Sequence, residues 1–163
     1  MIKVLFLDRD GVINRERGEH TWRMEDFEIL PGAIAAIKEV HDRGRMIVVI
    51  TNQSGIGLGL YGHADVERLH GYLHEQMDKA GIRSLNILYC PHHPSKGKCL
   101  CRKPGGLLFE KAIARLGLDT EGAVMIGDRE RDMEAAASVG VQGVLVEANT
   151  DLREALQKVG LLR

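Results

Sequence analysis

Two aspartates leave the first apolar run of this chain together. Asp8 and Asp10 stand at i and i+2 in "LDRDG", and Gly11 behind them permits a sharp turn. Asp128 ends a later apolar run, "GAVMIGD", with Asp132 four residues on; Thr51 and Asn52 open "TNQSGIG", and Lys103 follows Arg102 in "CRKP". If the chain brings Asp8, Asp10 and Asp128 to one place, their charges repel without a cation, and hard oxygen ligands of this kind suit Mg²⁺. Thr51, Asn52 and Lys103 would then offer donors and positive charge to an anion beside the metal. A divalent cation, a lysine and a spare carboxylate are the working parts of phosphoryl transfer. Singly, each motif has an ordinary reading: a D-x-D is commonly a solvated turn, and K-P commonly marks a helix start. Their order along the chain is what carries weight.

A second cluster holds every cysteine of the chain. Cys90-x-His92 and Cys99-x-Cys101, in "CPHHPSKGKCLC", supply three thiolates and an imidazole, a full tetrahedral set for zinc. His93 is the rival imidazole, and the C-x-H spacing favours His92. The ordinary alternative is a set of reduced thiols with no metal. Four protein ligands leave no open position for water, so a zinc here is structural. It would order a loop with little apolar content and aim Arg102 and Lys103. On this reading, losing Cys101 costs folding and activity together, and losing Lys103 costs activity alone. His70 and His74 are spaced i and i+4 but lack the glutamate of a zinc-protease helix, so they read as a solvated face; Leu69, Leu73 and Met77 read as core. Trp22 fits either a substrate-facing rim or a loop anchor. The glycine-rich 54–62 stretch is not a P-loop, because no G-K-[ST] follows it.

The elements that must position these residues alternate along the chain. Apolar runs at 2–7, 46–51, 85–90, 122–127 and 143–147 suit strands buried on both faces of a parallel sheet. Stretches 32–43, 63–80, 106–116 and 131–139 have helical spacing, with Gly44, Gly81, Gly117 and Gly140 placed as terminators, and 151–163 reads as a closing helix. Such alternation predicts a doubly wound α/β sandwich of one domain, 1–163, with a mainly parallel sheet flanked by helices. Ligands in such sheets bind at the carboxyl ends of the strands, where all the motifs fall. The chain has 22 basic and 23 acidic residues, a formal charge of −1, so no basic surplus points to nucleic acid or an anionic membrane. No apolar window reaches a membrane span, the N-terminus lacks a signal-peptide pattern, and the odd cysteine count fits poorly with a disulfide framework, so the cytoplasm is expected.

Asp8-Arg9-Asp10-Gly11, then Thr51-Asn52, then Lys103-Pro104, then Gly127-Asp128 resembles the four ordered motifs of the haloacid-dehalogenase-like (HAD) phosphohydrolases, across essentially the whole chain. "LDRDGVIN", "TNQSGIG" and "CPHHP…CxCRKP" look like the small zinc-containing branch, which includes heptose-bisphosphate and histidinol-phosphate phosphatases. The resemblance implies Mg²⁺-dependent hydrolysis of a small phosphorylated metabolite through an aspartyl-phosphate. Asp8 would be the nucleophile and Asp10 the general acid and base. Asp8, the carbonyl of Asp10, and Asp128 would hold Mg²⁺. Thr51, Asn52, Gln53, Ser54, Lys103, Arg102 and Arg129 would bind phosphate and substrate, and Asp132 would orient Lys103 or a metal-bound water. The expected reaction removes the 7-phosphate of D-glycero-D-manno-heptose 1,7-bisphosphate, with histidinol phosphate as the alternative substrate. The short spacer between His92 and Cys99 and the missing aromatic after Gly18 pull away from the heptose pattern. Too little chain lies between the motifs for a cap domain, so a capless monomer is expected, with the zinc loop at 90–103. A phospho-acceptor or zinc-stabilised binding domain without turnover is the alternative of another class, and the paired Asp8 and Asp10 argue against it.

Overall fold

A computed structural model describes all 163 residues. Five strands, β1 (Ile2–Leu7), β2 (Met46–Asn52), β3 (Leu85–Cys90), β4 (Leu118–Gly127) and β5 (Gln142–Leu145), form one sheet in the order β3-β2-β1-β4-β5. Every neighbouring pair is parallel. The helices are α1 (Ala33–Asp42), α2 (His63–Lys79), α3 (Leu107–Leu116), α4 (Glu130–Ala137) and α5 (Leu152–Lys158).

Successive side chains of a strand face opposite ways, so a strand covered on both sides must be apolar throughout. Leu5, Leu7, Ile47 and Val49 pack beneath α1, α2 and α5 on one face. Val4, Phe6, Val48 and Ile50 pack beneath α3 and α4 on the other, with the Phe6 and Phe109 rings 5.0 Å apart. The expected doubly wound sandwich is therefore present. Burial on both faces holds for the centre of the sheet only: β3 is half-buried over its middle, and β5 is largely exposed, as edge strands are. The four helix-terminating glycines all adopt positive φ.

β4 begins earlier than its apolar run. Leu118 and Asp119 pair with Ile2 and Lys3 before the register shifts, and the pairing resumes at Leu5 and Val124. Polar residues at 119–121 are extended here because the first residues of β1 lie alongside them, which no local pattern reveals.

β2 and β3 wind to one side of β1 and β4 and β5 lie on its other side, so the direction of winding reverses between the neighbours β1 and β4. A crevice opens at such a point, outside the carboxyl ends. Residues 8–32 and 53–62 follow β1 and β2 as loops, with a short 3₁₀ turn at Met24–Asp26, and neither inserts a second domain. No helix is long and apolar enough to cross a membrane.

Candidate active site

Asp8 leaves β1 at this crevice, and Asp128 leaves β4 beside it. Asp8, Asp128 and Asp132 each bring one carboxylate oxygen within 4.8 Å of the other two. Gly11 makes that approach possible: its φ is +85°, and a Cβ there would stand 2.4 Å from Asp128 Oδ2. Gly127 does the same for Asp132, whose Oδ2 would be 2.4 Å from an added Cβ. Asp132 is fully buried, and its Oδ2 accepts from the Arg129 N–H at the start of α4 (3.1 Å).

Lys103 closes the cluster. Its Nζ donates to Asp8 Oδ1 (3.0 Å) and the Ile50 carbonyl (2.6 Å) and pairs with Asp132 Oδ1 (2.6 Å). Burial opposes the charge on Lys103, but Asp8 and Asp132 outweigh it and hold the ammonium above its usual range. Burial pushes Asp8 up to about 7, with Lys103 pulling the other way and Asp132, Asp10 and Asp128 adding to the rise. Burial also raises Asp128. Asp132 is committed to Lys103, so Asp8 and Asp128 are left facing each other. Their carboxylate oxygens suit a hard divalent cation that would offset the repulsion.

Asp10 behaves differently. Burial favours its neutral form, yet Arg9, Asn14 and Gln53 hold the carboxyl below the usual range. Oδ1 accepts from Arg9 Nη2 (2.9 Å) and Asn14 Nδ2 (3.0 Å), and Oδ2 accepts from Gln53 Nε2 (3.1 Å). Arg9, 0% exposed, also donates to His70 Nε2 (3.2 Å) and the Thr21 carbonyl (2.9 Å). The solvated face expected for His70 is therefore wrong. Its ring is buried, and burial together with Arg9 pushes it down to about 3, so it stays neutral and accepts from the guanidinium. His74 is exposed as expected. Arg9 and His70 are 61 positions apart, and only the sheet and α2 bring them together.

The other candidate residues divide between the cleft and its supports. Thr51 is buried, and its Oγ1 accepts from Gln53 Nε2 (3.0 Å). Asn52 spends its side chain on the Lys103 backbone, accepting from the N–H (3.0 Å) and donating to the carbonyl (3.2 Å). Those contacts position the lysine. A cleft of about 230 Å³ is lined by Asp10, Glu16, His20, Gln53, Arg129 and Arg131, among others. Ser54 is not among its lining residues. Trp22 is a loop anchor, stacked on Tyr61 with ring centroids 5.9 Å apart, and does not line the cleft.

Arg131 was missed from the sequence. Arg131 Nε and Arg102 Nη1 are both buried without a hydrogen-bond partner, and burial and Arg131 together lower Arg102. Arg131 also stands in the first turn of α4, where the helix dipole disfavours a cation. Donors held this way suit an anion. The signal available was a second arginine two residues after Arg129.

The cysteine loop gathers as its spacing implies. Cys90, His92, Cys99 and Cys101 place their ligand atoms within 4.8 Å of one another. Cys90 Sγ lies 3.7 Å from Cys99 Sγ, and His92 Nδ1 lies 3.2 Å from Cys101 Sγ. Zn–S and Zn–N bonds of about 2.3 and 2.0 Å fit inside such a set. His93 turns away, accepting from the Ser95 N–H (3.1 Å), which leaves His92 as the imidazole. One expectation fails here. Lys103 is 1% exposed between two buried carboxylates, so its loss would cost stability as well as activity.

A HAD-hydrolase-like family model matches residues 100–161. Among curated relatives, a D-glycero-beta-D-manno-heptose-1,7-bisphosphate 7-phosphatase of Pseudomonas putida is 38% identical over 90% of this chain and 83% of its own. A D-glycero-alpha-D-manno-heptose-1,7-bisphosphate 7-phosphatase of Photorhabdus laumondii is 35% identical over 86% of this chain and 79% of its own. Among solved structures, the D,D-heptose 1,7-bisphosphate phosphatase of B. bronchiseptica, complexed with magnesium and phosphate, superposes with a TM-score of 0.83 at 32% identity, covering 98% of this chain and 88% of that one.

Proposed function

The chain belongs to the heptose-bisphosphate phosphatases of the HAD-like hydrolases, and from that premise we propose that it removes the 7-phosphate of D-glycero-D-manno-heptose 1,7-bisphosphate through an aspartyl-phosphate on Asp8. The observation that carries the chemistry is the convergence of Asp8, Asp128 and Lys103 at the point where the strand order reverses, with Asp10 beside them.

Asp8 attacks phosphorus with the oxygen that faces the phosphoryl group, while its Oδ1 stays bonded to Lys103 and to the Arg9 N–H. Asp10 protonates the leaving alcohol and then takes a proton from the attacking water. Lys103 and the Thr51 hydroxyl receive the charge that spreads over the phosphoryl oxygens. Asp132 holds Lys103 at its station, and Asn52 fixes the backbone that carries it. Mg²⁺ held by Asp8, Asp128 and the Asp10 carbonyl would neutralise the phosphoryl oxygens and let Asp8 ionise. Arg102, Arg129 and Arg131 are assigned to the phosphate that is not cleaved, a reading supported by the place of Arg129 and Arg131 in the cleft wall and by the unpartnered guanidinium nitrogens of Arg102 and Arg131. Zinc held by Cys90, His92, Cys99 and Cys101 would have a filled shell and a supporting role.

Phosphate release from heptose bisphosphate and from histidinol phosphate, measured side by side with Mg²⁺, tests the substrate, because specificity is the ratio of the two kcat/KM values. A large excess for the heptose ester is expected, and an excess for histidinol phosphate would reverse the assignment. Asp8→Asn should abolish turnover with fold and zinc content unchanged. Full activity in that variant would remove the nucleophile from the account.

A further inference from the structure

The two oxygens of Asp10 are not equivalent. Oδ1 accepts two hydrogen bonds, from Arg9 Nη2 and Asn14 Nδ2, which occupy both of its lone pairs. Oδ2 accepts one, from Gln53 Nε2, and keeps one lone pair free. Only Oδ2 therefore has room to carry a proton and pass it on.

The amide beside that oxygen has no freedom of its own. Gln53 Nε2 has two hydrogens, directed to Asp10 Oδ2 (3.1 Å) and Thr51 Oγ1 (3.0 Å). Gln53 Oε1 accepts from the Tyr61 hydroxyl (2.9 Å). A flipped amide would set its carbonyl against the Asp10 carboxylate, two acceptors with no hydrogen between them. Tyr61 is itself fixed: it is 7% exposed, stacked on Trp22, and seated where a Cβ on Gly55 would stand 2.1 Å from its ring. Burial pushes the Tyr61 hydroxyl up to about 12, so it remains a donor throughout the working range.

We propose that Gln53 and Tyr61 are positioning residues for the proton transfer, holding Asp10 so that Oδ2 is the oxygen that exchanges the proton with the substrate. The proposal rests on the reading of Asp10 as general acid and base. As the bond between Asp8 and phosphorus forms and the ester P–O bond breaks, the proton on Oδ2 passes to the departing alkoxide oxygen. In the second half Oδ2 takes a proton from water, whose oxygen bonds to phosphorus as the bond to Asp8 breaks. Gln53 stabilises the carboxylate left after the first transfer and keeps it aimed for the second.

The test uses the dependence on leaving group. A sugar phosphate needs its leaving alkoxide protonated, whereas p-nitrophenyl phosphate releases a stable anion and does not. Steady-state kcat and KM are measured on both esters with Mg²⁺ for wild type, Gln53→Met, Tyr61→Phe and Asp10→Asn, with circular dichroism and zinc content as checks on folding. Tyr61→Phe keeps the stack on Trp22 and loses only the hydroxyl, so it carries the test if Gln53→Met folds poorly. Expected in both positioning variants is a fall of about tenfold in the ratio of the sugar-phosphate kcat/KM to the p-nitrophenyl-phosphate kcat/KM, the size of one lost hydrogen bond, because kcat/KM reports formation of the aspartyl-phosphate and not its common hydrolysis. If Asp10→Asn lowers that ratio and the two positioning variants leave it unchanged, the inference alone is overturned. If Asp10→Asn leaves the ratio unchanged, Asp10 is not the acid and both readings fall.

Discussion

Lys103 is where sequence and structure weigh one residue differently. Its place before Pro104 leads the sequence reading to expect a phosphate ligand, and nothing nearby in the chain shows that it neutralises two buried carboxylates. Removing one partner of a buried ion pair leaves an uncompensated charge and costs about 3–5 kcal/mol. Lys103→Met is therefore expected to lose at least about a hundredfold in kcat and also to melt well below wild type. Thermal denaturation beside phosphate release checks this, and an unchanged melting temperature would mean the carboxylates find other relief. Asp8, Asp10, Thr51 and Asp128 stand out as candidates in the sequence because each would carry its chemistry in its own side chain at a strand end. Arg9, His70 and Tyr61 do not, because their roles consist of contacts between elements far apart in the chain. Gly55, in the glycine-rich stretch 54–62, leaves space for the Tyr61 ring, a role that also depends on the fold.

At the scale of elements, the loop between β3 and α3 is held at three places. Its cysteines gather around one point, Asn52 grips its exit at Lys103, and the Gly57 N–H donates to the Pro91 carbonyl (2.8 Å), tying the loop after β2 to it. Gly57 has no room for a side chain there, since a Cβ would stand 2.7 Å from the His93 backbone nitrogen. The loop thus transmits its order directly to the lysine. Cys101→Ser is expected to lower zinc content, melting temperature and turnover together, and added Mg²⁺ should not restore activity. Metal analysis, calorimetry and phosphate release on one preparation would decide it, and a variant with full activity and no zinc would show the loop ordered by its hydrogen bonds alone. The apolar runs of β1 and β2 predicted the centre of the sheet because burial on both faces demands them. The early start of β4 escaped because its polar residues are extended by pairing with β1 alone.

The whole molecule stands a concentrated negative charge on a rigid base. Because burial raises Asp8 above its unfolded value, its contribution to stability is fully present below about pH 4 and is lost as pH rises through about 7. Between pH 5 and pH 7 buried, neutral His70 gives metal-free protein an upward slope in melting temperature, and Asp8 gives it an opposing downward one. Asp8→Asn should remove the downward contribution, and Mg²⁺ should raise the melting temperature of wild type at pH 7 more than that of the variant. Denaturation curves across that range, with and without Mg²⁺, read the effect; equal slopes in both proteins would place the pH dependence elsewhere. The doubly wound topology was legible from the alternation of elements, and the reversal of strand order that seats the cluster followed from it. The absence of an inserted second domain after β1 or β2 has a further consequence for timing. No second domain has to fold over the ester before reaction or swing away afterwards, so the pace of turnover is expected to be set by the chemistry and by phosphate leaving the cleft, not by a domain hinge.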